Sequence, residues 1–159
     1  MEKIASFTVN HLTLLPGLYV SRKDFVNKEI ITTFDLRITR PNFEPVIDNP
    51  ALHAIEHLGA TFLRNHEVYK NDIIYFGPMG CRTGCYLIIT GDKEPLDIYD
   101  LIKEMFEFIL NYEGTIPGAS AVECGNYLDL NLDMAKFYAN KYINEVLNNF
   151  TKEKYSYSE

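Results

Sequence analysis

The chain predicts an α+β fold: one domain of two layers, a mainly antiparallel sheet packed against helices. Three observations predict it. Residues 29–40 are rich in β-branched side chains and partly alternate, with Phe34, Leu36 and Ile38 on one face and Asp35 and Arg37 on the other. Residues 72–76 and 85–90 read as two strands flanking the glycine-rich turn Gly77-Pro78-Met79-Gly80-Cys81-Arg82-Thr83-Gly84, a hairpin-like unit. Ile98, Leu101, Ile102, Met105, Phe106 and Ile109 recur at three and four residues, which makes residues 96–112 an amphipathic helix that covers the sheet.

Taken in order, residues 4–9 and 12–15 read as two short extended pieces interrupted by Asn10-His11 and closed by Pro16-Gly17. Residues 18–20 form a third. Ser6 and His11 are the polar exceptions, a serine on a strand face and a histidine in a turn. Pro41, Pro45 and Pro50 make the segment after the alternating strand a loop. It leads into a helix expected to run from an Asn49 N-cap, with Pro50 in the first position, to about residue 65. Leu52, Ile55, Leu58 and Phe62 supply much of its apolar face. Residues 113–120 are a glycine- and proline-rich loop. Asn131 caps a last helix, with Ala135, Ala139, Tyr142, Val146 and Phe150 on one face, and residues 151–159 are a polar tail expected to fray.

A chain of 159 residues fits one domain and buries roughly 68–70% of its unfolded surface, enough for a core without staples. No apolar run approaches a membrane span, so membrane insertion is not expected. The first residues lack the charged start and apolar run of a secretory signal, which points to the cytoplasm. Three cysteines cannot all pair within the chain, so Cys81, Cys85 and Cys124 read as buried, metal-binding or reactive thiols. With a net charge of −7 and no cluster of lysines or arginines, nucleic acid is excluded as a partner and a small polar substrate fits better.

The chemistry concentrates in the first long helix. His53 and His57 lie four apart and share a face, so two imidazoles can aim at one point, with Glu56 on the rim. Two histidines at this spacing also occur with one in the core and one in water. Cys124, delivered by the loop before Gly125, is a suitable third ligand, although alone it reads more often as a small buried hydrophobe. Two nitrogens and a sulfur suit Zn²⁺ or Fe²⁺ and leave a fourth position open, the arrangement of a catalytic site. Cys81 sits in an exposed turn where flanking glycines allow a ligand close approach, and the neighbouring Arg82 favours a thiolate if it turns inward.

Five segments then carry a resemblance. They are Ser6 with His11; Phe34-Asp35-Leu36-Arg37 followed by Pro41-Asn42; the helix Ala51-Leu52-His53-Ala54-Ile55-Glu56-His57-Leu58; the turn Pro78-Met79-Gly80-Cys81-Arg82-Thr83-Gly84; and Glu123-Cys124-Gly125-Asn126-Tyr127. In this order the chain resembles the S-ribosylhomocysteine lyases of bacterial autoinducer-2 synthesis, the LuxS family, over residues 1–159. The resemblance implies that His53, His57 and Cys124 bind one divalent metal per chain, iron(II) in most of the family with zinc able to substitute. It implies Glu56 and Cys81 as the acid–base pair and Ser6, His11 and Arg37 in the substrate pocket, with Arg37 near Cys81 and favouring its thiolate. The implied reaction moves a carbonyl along S-ribosylhomocysteine by two aldose–ketose isomerisations and expels homocysteine by β-elimination, leaving dihydroxypentanedione. The implied assembly is a homodimer with two sites at its interface.

The chain departs from the family pattern at Tyr75-Phe76-Gly77, where Asp-Ile-Ser is usual, at Ala54 for threonine, at Gly59 for leucine and at Cys85 for an aromatic residue. None removes a ligand or an acid–base group. Two other readings remain open from the residues. His53-x-x-Glu56-His57 is also the inverted zinc-peptidase motif, with Glu123 able to serve as third ligand, although the chain is short for such an enzyme. The alternative of a metal-stabilised structural or binding domain would close a four-ligand site with Cys81, Cys85 and the histidines.

Overall fold

The computed structural model describes residues 2–157, and its centre is the stretch in which Phe34, Leu36 and Ile38 alternate with Asp35 and Arg37. Four strands, β1 (Gly17–Val26), β2 (Glu29–Arg37), β3 (Ile73–Pro78) and β4 (Gly84–Thr90), form one sheet in the order β1-β2-β4-β3. Every neighbouring pair is antiparallel. Three helices, α1 (Asn49–Asn65), α2 (Tyr99–Asn111) and α3 (Leu132–Glu145), complete the α+β architecture that the sequence predicts. None of the described helices is long and apolar enough to cross a membrane.

The two faces of β2 have different fates because side chains alternate along a strand. Phe34, Leu36 and Ile38 are fully buried and join one core with Ile55 and Leu58 of α1 and with Ile102, Phe106 and Ile109 of α2. Burying each such side chain stabilises the fold by roughly 1.5–3 kcal/mol. Phe106 meets Tyr142 of α3 with ring centroids 4.4 Å apart, and the Tyr142 hydroxyl donates to the Gly17 carbonyl at 2.9 Å, tying helix layer to sheet. On the opposite face Asp35 and Arg37 are buried too, which polar residues tolerate only when paired.

Several local expectations are corrected. The pieces expected as extended at residues 4–9 and 12–15 are instead a 3-10 turn, Ala5–Phe7, and a turn centred on Asn10. The Asn10 side chain accepts from Leu12 N–H and its carbonyl from Thr13 and Leu14, so those donors are spent locally rather than on a sheet partner. Ser6 therefore sits in a 3-10 turn, not on a strand. The strand expected only at residues 18–20 runs through Val26, because its partner β2 pairs with it along almost its whole length. Helix α1 is capped by Asp48, not Asn49, through the Asp48 carbonyl, and Pro50 takes the second helical position. Asn131 does cap α3, its side chain accepting from Met134 N–H at 3.0 Å.

The polar tail is not frayed over residues 151–157. Lys152–Lys154 make a 3-10 turn, the Tyr19 hydroxyl donates to the Glu153 carbonyl at 3.1 Å, and the Tyr157 ring stacks on Tyr19 at 4.6 Å. Two aromatic rings in a polar stretch hold it against the sheet. Residues 158 and 159 lie outside the described residues.

Candidate metal centre and the Cys81 pocket

Helix α1 places His53 and His57 one turn apart, with ring centroids 4.6 Å apart and planes at 82°. Each imidazole is held from behind. His53 Nδ1 donates to the Asp129 carbonyl at 2.9 Å, and His57 Nδ1 donates to the Pro117 carbonyl at 2.7 Å. With Nδ1–H so engaged, each ring presents Nε2 as its lone-pair nitrogen, the orientation characteristic of metal-binding histidines. Cys124 Sγ lies 3.4 Å from His53 Nε2, and the Asn126 N–H donates to that sulfur at 3.4 Å. One ligand atom from each of His53, His57 and Cys124 falls within 4.8 Å of the others, and all three residues are partly buried. This borderline-soft set fits a tetrahedral Zn²⁺ or Fe²⁺ with one position open.

The loop before α3 is shaped around His57. Gly118 has φ +75°, and a Cβ there would come within 3.1 Å of His57 Nδ1. A side chain there is strained by the left-handed backbone and crowds the ring. Glu56 brings a carboxylate oxygen 3.8 Å from His57 Nε2. His53 and Glu56 line one open cavity of about 460 Å³, with Tyr75, Met79, Gly80 and Arg82 across from them.

Cys81 occupies a second, separate pocket. It is exposed at the β3–β4 connection and lines a cavity of about 490 Å³ that also contains His11, Glu44 and Thr83. The cation facing the thiol is Arg37, with Nη1 3.7 Å from Sγ, and not Arg82, whose backbone has φ +59° and which lines the His53 cavity. Arg37 is itself held by Asp35, Nε to Oδ1 at 3.0 Å and Nη2 to Oδ2 at 2.5 Å, with both side chains almost fully buried. Burial pushes the Asp35 carboxyl above the usual carboxylate range, against the opposing pull of Arg37 and of the Tyr157 hydroxyl. Thr83 Oγ1 accepts from Arg37 Nη1 at 2.6 Å and lies 3.1 Å from Cys81 Sγ.

The structure thus gathers His53, His57 and Cys124 with Glu56 beside them, and sets Arg37 against Cys81, but His53 and Glu56 line one cavity of the chain and His11 and Cys81 another. Ser6 lines a third, smaller one with Tyr75 and Tyr86. His11 Nδ1 donates to the Val9 carbonyl at 2.9 Å, which orients its ring in the turn. Sequence reasoning missed Thr83, Gly118 and the carbonyls of Pro117 and Asp129. Thr83 was within reach, being a hydroxyl two residues from Cys81; backbone carbonyls leave no trace in a residue type.

Both other readings of the motif fail on geometry. Glu123 is exposed, and its carboxylate accepts from Ser120 Oγ at 2.6 Å, while Cys124 supplies the third ligand atom of the peptidase-like helix. Cys85 is fully buried in the core, its thiol pushed far up by burial, and does not join Cys81 and the histidines in a four-ligand site.

An α+β domain with a helix-borne histidine pair, a loop cysteine and a carboxylate beside them belongs to the class of proteins with a three-residue cluster that could hold a metal ion. Comparison with known proteins narrows the class. The family model described as S-ribosylhomocysteinase (LuxS) matches residues 4–153, and the chain belongs to that family. It is 66% identical to an S-ribosylhomocysteine lyase of Finegoldia magna over 159 residues, covering 100% of both chains. It is 59% identical to one of Clostridium beijerinckii and 56% identical to one of Borreliella burgdorferi, each over 157 residues and 99% of both chains.

Proposed function

We propose that this chain is a metal-dependent lyase that cleaves S-ribosylhomocysteine to homocysteine and dihydroxypentanedione, the autoinducer-2 precursor. The observation that carries the reading is the His53–His57–Cys124 cluster, with both histidines oriented by carbonyls, in a chain that matches the LuxS family over residues 4–153. These three residues would hold one divalent ion, iron(II) with zinc as a substitute, through two Nε2 atoms and Sγ. Such an ion, when bound, supplies Lewis acidity toward the sugar's carbonyl and hydroxyl oxygens.

The proton traffic falls to Glu56 and Cys81. In the open-chain sugar they remove the proton at C2 and return one to C1, while a hydroxyl proton moves from O2 to O1, so that the C1 aldehyde becomes a C2 ketone. The same exchange one carbon further carries the carbonyl to C3. Removal of the C4 proton then breaks the C5–S bond; the electron pair leaves on sulfur, the thiolate takes up a proton as homocysteine, and the remaining enol becomes the diketone. Arg37 sets its guanidinium against the Cys81 sulfur, and Ser6 and His11 contact the substrate.

Within one chain Cys81 and His11 line a different cavity from His53 and Glu56, which supports a homodimer whose sites form where one copy meets the other. Three free cysteines suit the reducing cytoplasm. The test is thiol release from S-ribosylhomocysteine by anaerobically prepared, iron(II)-loaded chain beside the same chain stripped by a chelator. Release is expected only from the loaded form. Equal release from the stripped form, or none from the loaded one, overturns the reading.

A further inference from the structure

Cys81 is reached by a chain of contacts that begins at the far end of the sequence. The Tyr157 hydroxyl donates to Asp35 Oδ2 at 3.1 Å across 122 residues of sequence. Asp35 grips Arg37 with both carboxylate oxygens, and the remaining edge of the guanidinium, Nη1, faces Thr83 Oγ1 and Cys81 Sγ. Asp35 stands between Tyr19 of β1 and Tyr86 of β4 in the sheet register, and Tyr157 stacks on Tyr19 with planes 13° apart. The ion pair is therefore walled by aromatic rings on the outer face of the sheet, and the C-terminal segment supplies one of them.

We infer that Tyr157 is a positioning residue for Cys81, acting through Asp35 and Arg37. The ring stack on Tyr19 and the hydrogen bond from Tyr19 to the Glu153 carbonyl hold the segment without using the Tyr157 hydroxyl, which is given to Asp35. Asp35 Oδ2 accepts from both Arg37 Nη2 and Tyr157, and a buried carboxylate that loses a donor seeks another. Its available response is to shift on Arg37, whose fork geometry transmits the motion to Nη1 and so to the 3.7 Å contact with the thiol. The donated hydrogen bond also draws charge from Asp35 and leaves more of the Arg37 field to act on Cys81. The inference deepens the proposed function, since it rests on Cys81 as a proton-moving group.

The charged and titratable groups around the thiol are Arg37 from β2, His11 and Glu44 lining its cavity, Arg82 beside it in the turn, and Tyr86 of β4. Only Arg37 connects to Tyr157 through the hydrogen bonds described. Tyr157→Phe keeps the stacked ring and removes the donor. The readout is the rate at which iodoacetamide alkylates Cys81 in zinc-loaded protein from pH 6 to 10, followed on the Cys81 peptide by mass spectrometry.

Expected is a profile whose midpoint moves to higher pH by about half a unit, with the rate at neutral pH lowered about threefold. Tyr155→Phe, also in the C-terminal segment, should leave the profile unmoved. A folded Tyr157→Phe protein with the parent's profile, or one shifted to lower pH, overturns the inference. Should that variant not fold, a chain ending at Ser156 is read by the same criterion. Alkylation needs no substrate, so the two ideas fail separately. A parent that releases no homocysteine counts against the lyase, and an unmoved profile in an active enzyme counts against Tyr157 alone.

Discussion

Replacing Gly118 by alanine tests whether the loop before α3 is built around His57 as a proposed metal ligand. Gly118 has φ +75°, and its new Cβ would lie 3.1 Å from His57 Nδ1 and 3.2 Å from Cε1. Gly114 makes the comparison clean: it has φ +98° with nothing within 4 Å of the Cβ position. Alanine in the left-handed region costs about 1–2 kcal/mol at either site. Only at Gly118 must the ring also give way, and its Nδ1 is held to the Pro117 carbonyl at 2.7 Å. Tilting the ring stretches that bond and turns Nε2 off the common point shared with His53 and Cys124. Losing such an orienting bond lowers metal affinity about 10–100-fold. Zinc affinity measured by competition with a chromophoric chelator should fall by that factor in Gly118→Ala and stay at the parent's value in Gly114→Ala, while both lose thermal stability to the shared backbone strain. Equal affinity in the two variants would refute the reasoning.

Two further outcomes follow from the packing and the buried ionisable groups. Gly59 sits where a Cβ would come within 2.4 Å of buried Phe76 Cε1, so Gly59→Ala should cost about 1–3 kcal/mol in urea unfolding. Adding Phe76→Leu should recover part of that cost, and a double variant no better than the single one would contradict the contact. Tyr19, Tyr142, Tyr157 and Cys85 are all pushed above their ordinary values, burial being the largest cause in each. Each keeps its proton in the folded chain at a pH where the unfolded chain has lost it, so stability is full below the ordinary values and falls as pH rises above about 9–10. Urea midpoints between pH 7.5 and 11 should decline across that range; a flat curve would contradict the burial of these groups.

What could be read in the sequence was whatever has a period or a spacing. The alternation through Phe34, Leu36 and Ile38 and the three-and-four repeat from Ile98 to Ile109 gave the sheet face and α2, because those patterns are what packing needs. His53, Glu56 and His57 were legible because a helix turns spacing into direction. The beginning of the chain was not: residues 4–15 are apolar enough for strands, and Asn10 diverts their donors into a turn by hydrogen bonds that composition does not reveal. Nor was the tail, where Tyr157 looks like one polar residue among several until Tyr19 and Asp35 are brought to it from the distant β1–β2 hairpin. Arg82 stood next to Cys81 in sequence, yet Arg37 is the cation that faces the thiol, since strand pairing of Arg37 with Gly84 brings β2 beside the turn.

The most direct test of Glu56 and Cys81 as the proton-moving pair is homocysteine release from S-ribosylhomocysteine by iron(II)-loaded Glu56→Gln and Cys81→Ala beside the parent. Metal content and circular dichroism are measured on the same samples. Loss of release by at least about 100-fold in each variant, with metal and fold retained, is the expected result. Release at the parent's rate from either folded, metal-loaded variant would contradict it.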